Sequence, residues 1–240
     1  MIMRYLYSFI QKVIEKMGEN TVGLRIYMFH QINDDKTEWK DKGTSITQTG
    51  FRMFIEGLQA KGCRFLTLAD LSPDKAEPRN VIITFDDIFQ DAVKNAIPFL
   101  VEKNIPFCVF ITENYINSEN FLTSQSIQKL IDEPLCTIGF HTKNHKLMRS
   151  LTRKELGEEM ECNDFEKLVG RNISFFAFPY GSLYACTLKS ILRAKRKYTL
   201  VFSTVSIPCS KRQLQKVPFF LPRINICEGN YRRKLKEIRF

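Results

Sequence analysis

Short β-favouring apolar runs alternate with amphipathic segments about seven times along this 240-residue chain. That rhythm restricts the fold more than any other property of the sequence. Strands that are each followed by a helix return in the same direction, so the sheet is parallel and helices cover its faces. The runs fall at residues 23–30, 65–68, 81–85, 107–111, 136–140, 173–178, 199–203 and about 219–224. Between them the spacing predicts helices at 51–61, capped by Thr49 and stopped by Gly62, at about 92–101, and around 127–131. Thr152 and Glu155 read as a capping box opening one long helix to Val169, and a strongly basic helix is expected at about 184–196. No repeat, low-complexity tract or linker interrupts the series. The expectation is one α/β domain, closed as a barrel or open and doubly wound; α/β barrels commonly use about 250 residues.

Composition narrows the setting. Hydrophobic residues make up 44% and charged ones 26%, which excludes a disordered chain. Seven cysteines, an odd number with no C-x-x-C pair, sit largely inside apolar runs, as reduced core thiols do. The N-terminal segment is broken by Arg4 and Ser8 and is followed by no small-residue cleavage site, so it reads as an amphipathic helix rather than a leader. Arg4, Ser8, Gln11, Lys12, Glu15 and Lys16 share one helical face, opposite Ile, Leu, Phe and Val; the helix either packs on the domain or rests on an anionic membrane surface. A formal charge of +10 gathers late, at 189–197, 211–212 and 231–236. Such a surface is either a solvated helix face or an attraction for phosphate. Nucleic acid is not expected, because charge alone supports it and no recognised binding motif is present.

The chemistry concentrates where strands end. Residues 81–85 form an apolar run that stops in two adjacent carboxylates, Asp86 and Asp87. One of them could cap the next helix, but two like charges side by side usually share a metal or a proton. His30, His141, Tyr180 and Arg223 also stand at or just past strand ends, which meet on one face of a β/α barrel. His141 and His145 are four apart, so one helical turn would project both imidazoles to the same side, where they could bind one cation. With Asp87 they would make a two-His, one-carboxylate set for a divalent metal, zinc by default, with iron, cobalt, nickel or manganese also fitting. Asp86 is then free to take a proton from a water acidified by the metal, and His30 is the histidine left to protonate a leaving group. These parts specify hydrolysis of an amide or ester.

Taken in order, Thr84-Phe85-Asp86-Asp87, His141-Thr142-x-x-His145 and Phe178-Pro179-Tyr180-Gly181 resemble the polysaccharide deacetylases, the NodB homology domain or carbohydrate esterase family 4. Met28-Phe29-His30-Gln31-Ile32 is similar to the Tyr-His-x-Ile segment of the subgroup acting on surface polysaccharides. The resemblance covers roughly residues 23–225. It implies a distorted (β/α)7-8 barrel that removes N-acetyl groups from sugars, with Asp86 as base, Asp87, His141 and His145 on the metal, and His30 as acid. Pro179 and Tyr180 match the segment that lines the substrate groove and offers a backbone oxyanion donor. Three positions depart from or complete the pattern. Ile88 replaces the usual Gly after Asp-Asp, Ala177 replaces the Arg that often precedes Pro-Tyr, and Arg223 becomes the candidate to orient the base.

The resulting expectation is an amphipathic helix at 1–20, a barrel domain at 21–228 and a basic tail at 229–240. The substrate expected is an N-acetylated sugar or oligosaccharide of a surface polysaccharide or its precursor, free or phosphate-linked. The setting expected is cytoplasmic, with peripheral contact at the inner face of the membrane. O-acetyl esterase or deformylase activity, and a catalytically silent carbohydrate-binding role, are the rival readings.

Overall fold

Eight strands form one parallel sheet, and its curl brings their carboxyl ends to a common rim. The computed structural model describes residues 2–18 and 20–240. In chain order the elements are α1 (Ile2–Gly18), β1 (Arg25–Phe29), α2 (Gln48–Ala60), β2 (Arg64–Phe65), β3 (Asn80–Asp86), α3 (Gln90–Asn95), α4 (Ile97–Glu102), β4 (Phe107–Ile111), α5 (Ser124–Asp132) and β5 (Cys136–Phe140). Then follow α6 (Arg153–Glu159), α7 (Asn163–Val169), β6 (Phe175–Ala177), α8 (Leu188–Lys197), β7 (Leu200–Phe202), α9 (Lys211–Lys216), β8 (Ile224–Asn225) and α10 (Tyr231–Lys236). The strand order is β7-β6-β5-β4-β3-β1-β8, with β2 paired to the start of β3. A bridge between Phe202 and Leu221 brings the segment entering β8 onto the β7 edge, while β8 itself pairs with β1. The same short stretch therefore touches both edges of the curl, as the barrel expectation requires.

The period of two along a strand divides the core. Tyr27, Phe29, Ile83, Phe85, Phe107 and Val109 face the helix layer and pack with Phe51, Phe54 and Leu100. Their neighbours Ile26, Ile82, Cys108, Phe110, Ala177 and Phe202 form a second cluster inside the curl. Gly139 makes room there, since a Cβ at that position would meet the Phe110 ring at 2.5 Å. Many of the twenty phenylalanines serve these two layers.

Several local expectations shift for identifiable reasons. α2 is capped by Thr47, not Thr49; the Thr47 hydroxyl accepts from Gly50 N and donates to Glu228 at 2.9 Å, a contact distant in sequence. The helix expected at 92–101 divides at Ala96, ahead of Pro98. The helix expected from Thr152 to Val169 keeps its capping box but breaks after Glu159, whose carbonyl accepts from Lys143 N. The last strand shrinks to two residues because Pro222 cannot donate to the ladder. α8 begins at 188, where Thr187 and Ser190 cap it reciprocally. All seven cysteines are unpaired and six are buried. Residues 231–236 form α10, whose Tyr231 is buried against the domain. Among the described residues, no helix is long and apolar enough to cross a membrane.

Candidate active site

The alternation that buries Ile82 also turns Thr84 and Asp86 into the curl. There Asp86 meets Arg223, whose two amino groups each donate to one carboxylate oxygen at 2.6 Å. The side chains are 2% and 0% exposed. Arg223 donates further to the Ser203 carbonyl at 3.1 Å, and its guanidinium lies 5.2 Å from the Phe110 ring and 5.8 Å from the Phe202 ring. Burial alone would raise the Asp86 pKa, but the Arg223 charge and its hydrogen bonds hold it at about 2. Asp86 is an ionised, fixed carboxylate.

Strict alternation would send the next side chain, Asp87, outward into the helix layer. Instead Asp87 and Ile88 adopt left-handed backbone, with φ of 60° and 51°, and the carboxylate of Asp87 swings over the rim. Neither Asp caps the following helix; the N-cap of α3 is Phe89, which makes no side-chain cap. Asp87 Oδ1 reaches His145 Nε2 at 3.2 Å and His141 Nε2 at 3.6 Å, and the three ligand atoms lie within 4.8 Å of one another. The two histidines meet without the helical turn assumed from their spacing. Residues 141–145 are irregular, with Thr142 at φ 72° and His145 at φ 56°.

These three residues fit a cation. Burial pushes the His141 imidazole down to about 3, and that of His145 down as well, so both rings are neutral. His141 Nδ1 donates to the Ala177 carbonyl at 2.8 Å, which leaves a lone pair on Nε2 facing Asp87. Asp87 Oδ1 is buried with no hydrogen-bond partner. Burial, reinforced by the Asp86 charge, raises the Asp87 pKa to about 6, as expected where acceptors converge without a donor.

The remaining expected residues line the same rim. His30 follows β1 and lies near both carboxylates, and its Nδ1 is buried without a partner. Pro179 is buried, while Tyr180 is 58% exposed with its ring 4.9 Å from that of His145. Asp86, Asp87, His30, His141, His145, Tyr180 and Arg223 therefore gather at one end of the sheet.

The sequence model of the polysaccharide deacetylase family matches residues 74–199, more than half of the 240 residues. The chain belongs to that family. A poly-beta-1,6-N-acetyl-D-glucosamine N-deacetylase of Staphylococcus aureus is 26% identical over 215 residues, spanning 81% of this chain and 72% of the relative. A polysaccharide deacetylase from Bacillus cereus superposes with a TM-score of 0.79 at 18% identity, over 90% of this chain and 69% of the other. IcaB from Ammonifex degensii gives 0.72 at 20% identity, over 91% and 98%. At such identities the two structures bear on the fold.

Within this deacetylase-family site, three contributors carry no sequence signal. Glu159, 2% exposed, accepts from Asn144 N at 2.7 Å, Asn144 Nδ2 at 2.9 Å and Lys146 N at 3.2 Å, and so grips both sides of His145. Tyr115, in the segment after β4, sets its ring 5.9 Å from that of His145. Ala177 acts through its carbonyl, which no side-chain pattern announces. Glu159 falls inside the helix expected from Thr152 to Val169, where nothing in the sequence sets it apart from its neighbours.

Proposed function

We propose that this chain hydrolyses N-acetyl groups from the sugars of a surface polysaccharide or its precursor, at a divalent-metal site formed by Asp87, His141 and His145. One observation carries the reading. Three acceptor atoms converge without a donor beside a carboxylate fixed by Arg223, in a chain of the polysaccharide deacetylase family. The kinship with the Staphylococcus aureus N-deacetylase supports a substrate built from N-acetylglucosamine. Zinc is the first candidate metal, and iron, cobalt, nickel or manganese suit the same ligands. When bound, such a cation supplies Lewis acidity toward an amide carbonyl and an attacking water.

The protein's own groups do the rest. Asp86 accepts the proton of the attacking water, and Arg223 keeps that carboxylate ionised and aimed along the rim. His30 protonates the departing nitrogen, so the amine leaves neutral. His141 is held in one tautomer by the Ala177 carbonyl, and His145 is held by the Glu159 grip on its loop. The exposed Tyr180 ring, next to the buried Pro179, offers a face against which a sugar can stack. The catalytic unit is residues 21–228. The unpaired cysteines support a reducing, cytoplasmic setting and hence a precursor sugar, free or phosphate-linked.

Elemental analysis of the purified protein, together with deacetylation of N-acetylglucosamine oligomers, tests this. Asp87→Ala is expected to lose the metal, whereas Asp86→Asn keeps it and loses about 10²–10⁴-fold in rate. Wild-type protein that binds no divalent metal, or product carrying a free hydroxyl in place of a free amine, would sink the reading.

A further inference from the structure

Helix α1 is amphipathic, yet it faces the domain with its polar side. Its contacts run along Tyr7, Gln11, Glu15 and Gly18, one seam at helical spacing. Gln11 Oε1 accepts from Leu183 N at 2.9 Å, and Glu15 Oε1 accepts from Ser206 N at 2.9 Å. Tyr7 and Tyr184 present their rings to the Arg149 guanidinium, 4.8 Å from each. Gly18 is buried so closely that a Cβ there would meet Ile207 at 2.6 Å. Directed hydrogen bonds therefore fix this orientation, and the apolar stripe is turned out. Tyr5, Leu6, Phe9, Val13 and Met17 are 69%, 50%, 66%, 40% and 80% exposed.

We propose that this outward face of α1 seats the protein on an anionic lipid surface. Charge complementarity selects the occupant. Lys12 and Lys16 stand three and seven residues after Phe9, along the flank of the stripe, and the one acid of α1, Glu15, is turned inward. A stripe of aromatic and aliphatic side chains bordered by lysines matches the boundary between acyl chains and anionic headgroups. A second copy of the chain would bring the same cations to the joint. The seating also has a geometric outcome for the site. A cavity of about 520 Å³ separates the polar side of α1 from the rim, lined by Arg4, Ser8, Lys12, Tyr180 and Tyr184. The rim therefore opens beside the bound helix, at the depth of lipid headgroups.

The inference is independent of the metal and of the reaction, and it is tested by co-sedimentation of the full chain with vesicles. Wild type is expected to bind phosphatidylglycerol–phosphatidylcholine vesicles, to bind pure phosphatidylcholine far less, and to be released by salt. Leu6→Ser combined with Phe9→Ser should weaken partition by about tenfold or more. Lys12→Glu combined with Lys16→Glu should abolish the preference for the anionic lipid. Leu188→Ser, an exposed apolar position on α8, should change nothing. Wild type that fails to bind anionic vesicles overturns the proposal. So does a dimer in ultracentrifugation that the Leu6/Phe9 variant converts to monomer without any vesicle-bound fraction, which would make the stripe a joint between copies.

Discussion

Replacing Arg223 by methionine removes the guanidinium while keeping most of the side-chain volume between Phe110 and Phe202. The arginine donates to both oxygens of Asp86 at 2.6 Å, with exposures of 0% and 2% for the pair, so no solvent takes its place. Stranding one member of a buried ion pair costs about 3–5 kcal/mol. Sulfur–aromatic contact returns about 1.5 kcal/mol at most. For a chain of this size, 1 kcal/mol moves Tm by about 2–4 °C, so a fall of roughly 3–20 °C is expected. Asp86 avoids part of that cost by taking up a proton, and a protonated carboxyl cannot act as a base. Activity should therefore fall at least about a hundredfold at neutral pH. The decisive arm is the double variant Asp86→Leu/Arg223→Met, which replaces the pair by apolar groups. It should recover most of the stability lost in Arg223→Met and none of the activity. Differential scanning calorimetry and acetate release read the two quantities. A single variant within about 2 °C of wild type, or a double variant less stable than Arg223→Met, would refute the view of Asp86 and Arg223 as one buried unit.

Three further outcomes follow from the geometry. Glu159→Ala strands the N–H groups of Asn144 and Lys146, loosens the loop carrying His145, and should weaken metal affinity about 10–100-fold in a competition titration with a chelator. Gly139→Ala drives a methyl into the Phe110 ring, so urea denaturation should register a loss of about 1–3 kcal/mol, and less in a Phe110→Leu background. His30→Gln should leave metal content unchanged in elemental analysis and slow amide hydrolysis by about 10²–10⁴-fold, while a substrate with a better leaving group is affected less.

The parts of this fold written in local patterns were legible in the sequence. Apolar runs and their spacing gave β1, β3, β4 and β5 nearly to the residue, and polar residues at strand ends pointed to one rim. What stayed hidden depends on contacts between distant segments. Thr47 caps α2 because Glu228 holds it, and the helix after Thr152 breaks because Glu159 is needed by the loop at 143–146. The rule of alternation by itself would have turned Asp87 away from the histidines. Only the left-handed turn at Asp87 and Ile88 brings it back. That conformation is unfavourable for a β-branched residue, and it is held by the burial of Ile88 at 1% exposure. Five of the eight non-glycine residues with positive φ, among those described, belong to this site, namely Asp87, Ile88, Thr142, His145 and Tyr180. The face α1 presents was equally unreadable, since an amphipathic pattern does not say which side turns in.

The short stretch that bridges both edges of the sheet also carries Arg223, which ties barrel closure to the competence of the proposed base, Asp86. Leu221 pairs with Phe202, Ile224 pairs with Tyr27, and between them Arg223 reaches across the interior to Asp86. On the ribosome, β1 and β3–β7 emerge with Asp86, Asp87, His141 and His145 long before this stretch does. Until it arrives, the carboxylate at the end of β3 has no counter-ion and the sheet has two open edges. Catalytic competence and closure of the curl should therefore appear in a single late step of synthesis, and a nick shortly before residue 221 would undo both together.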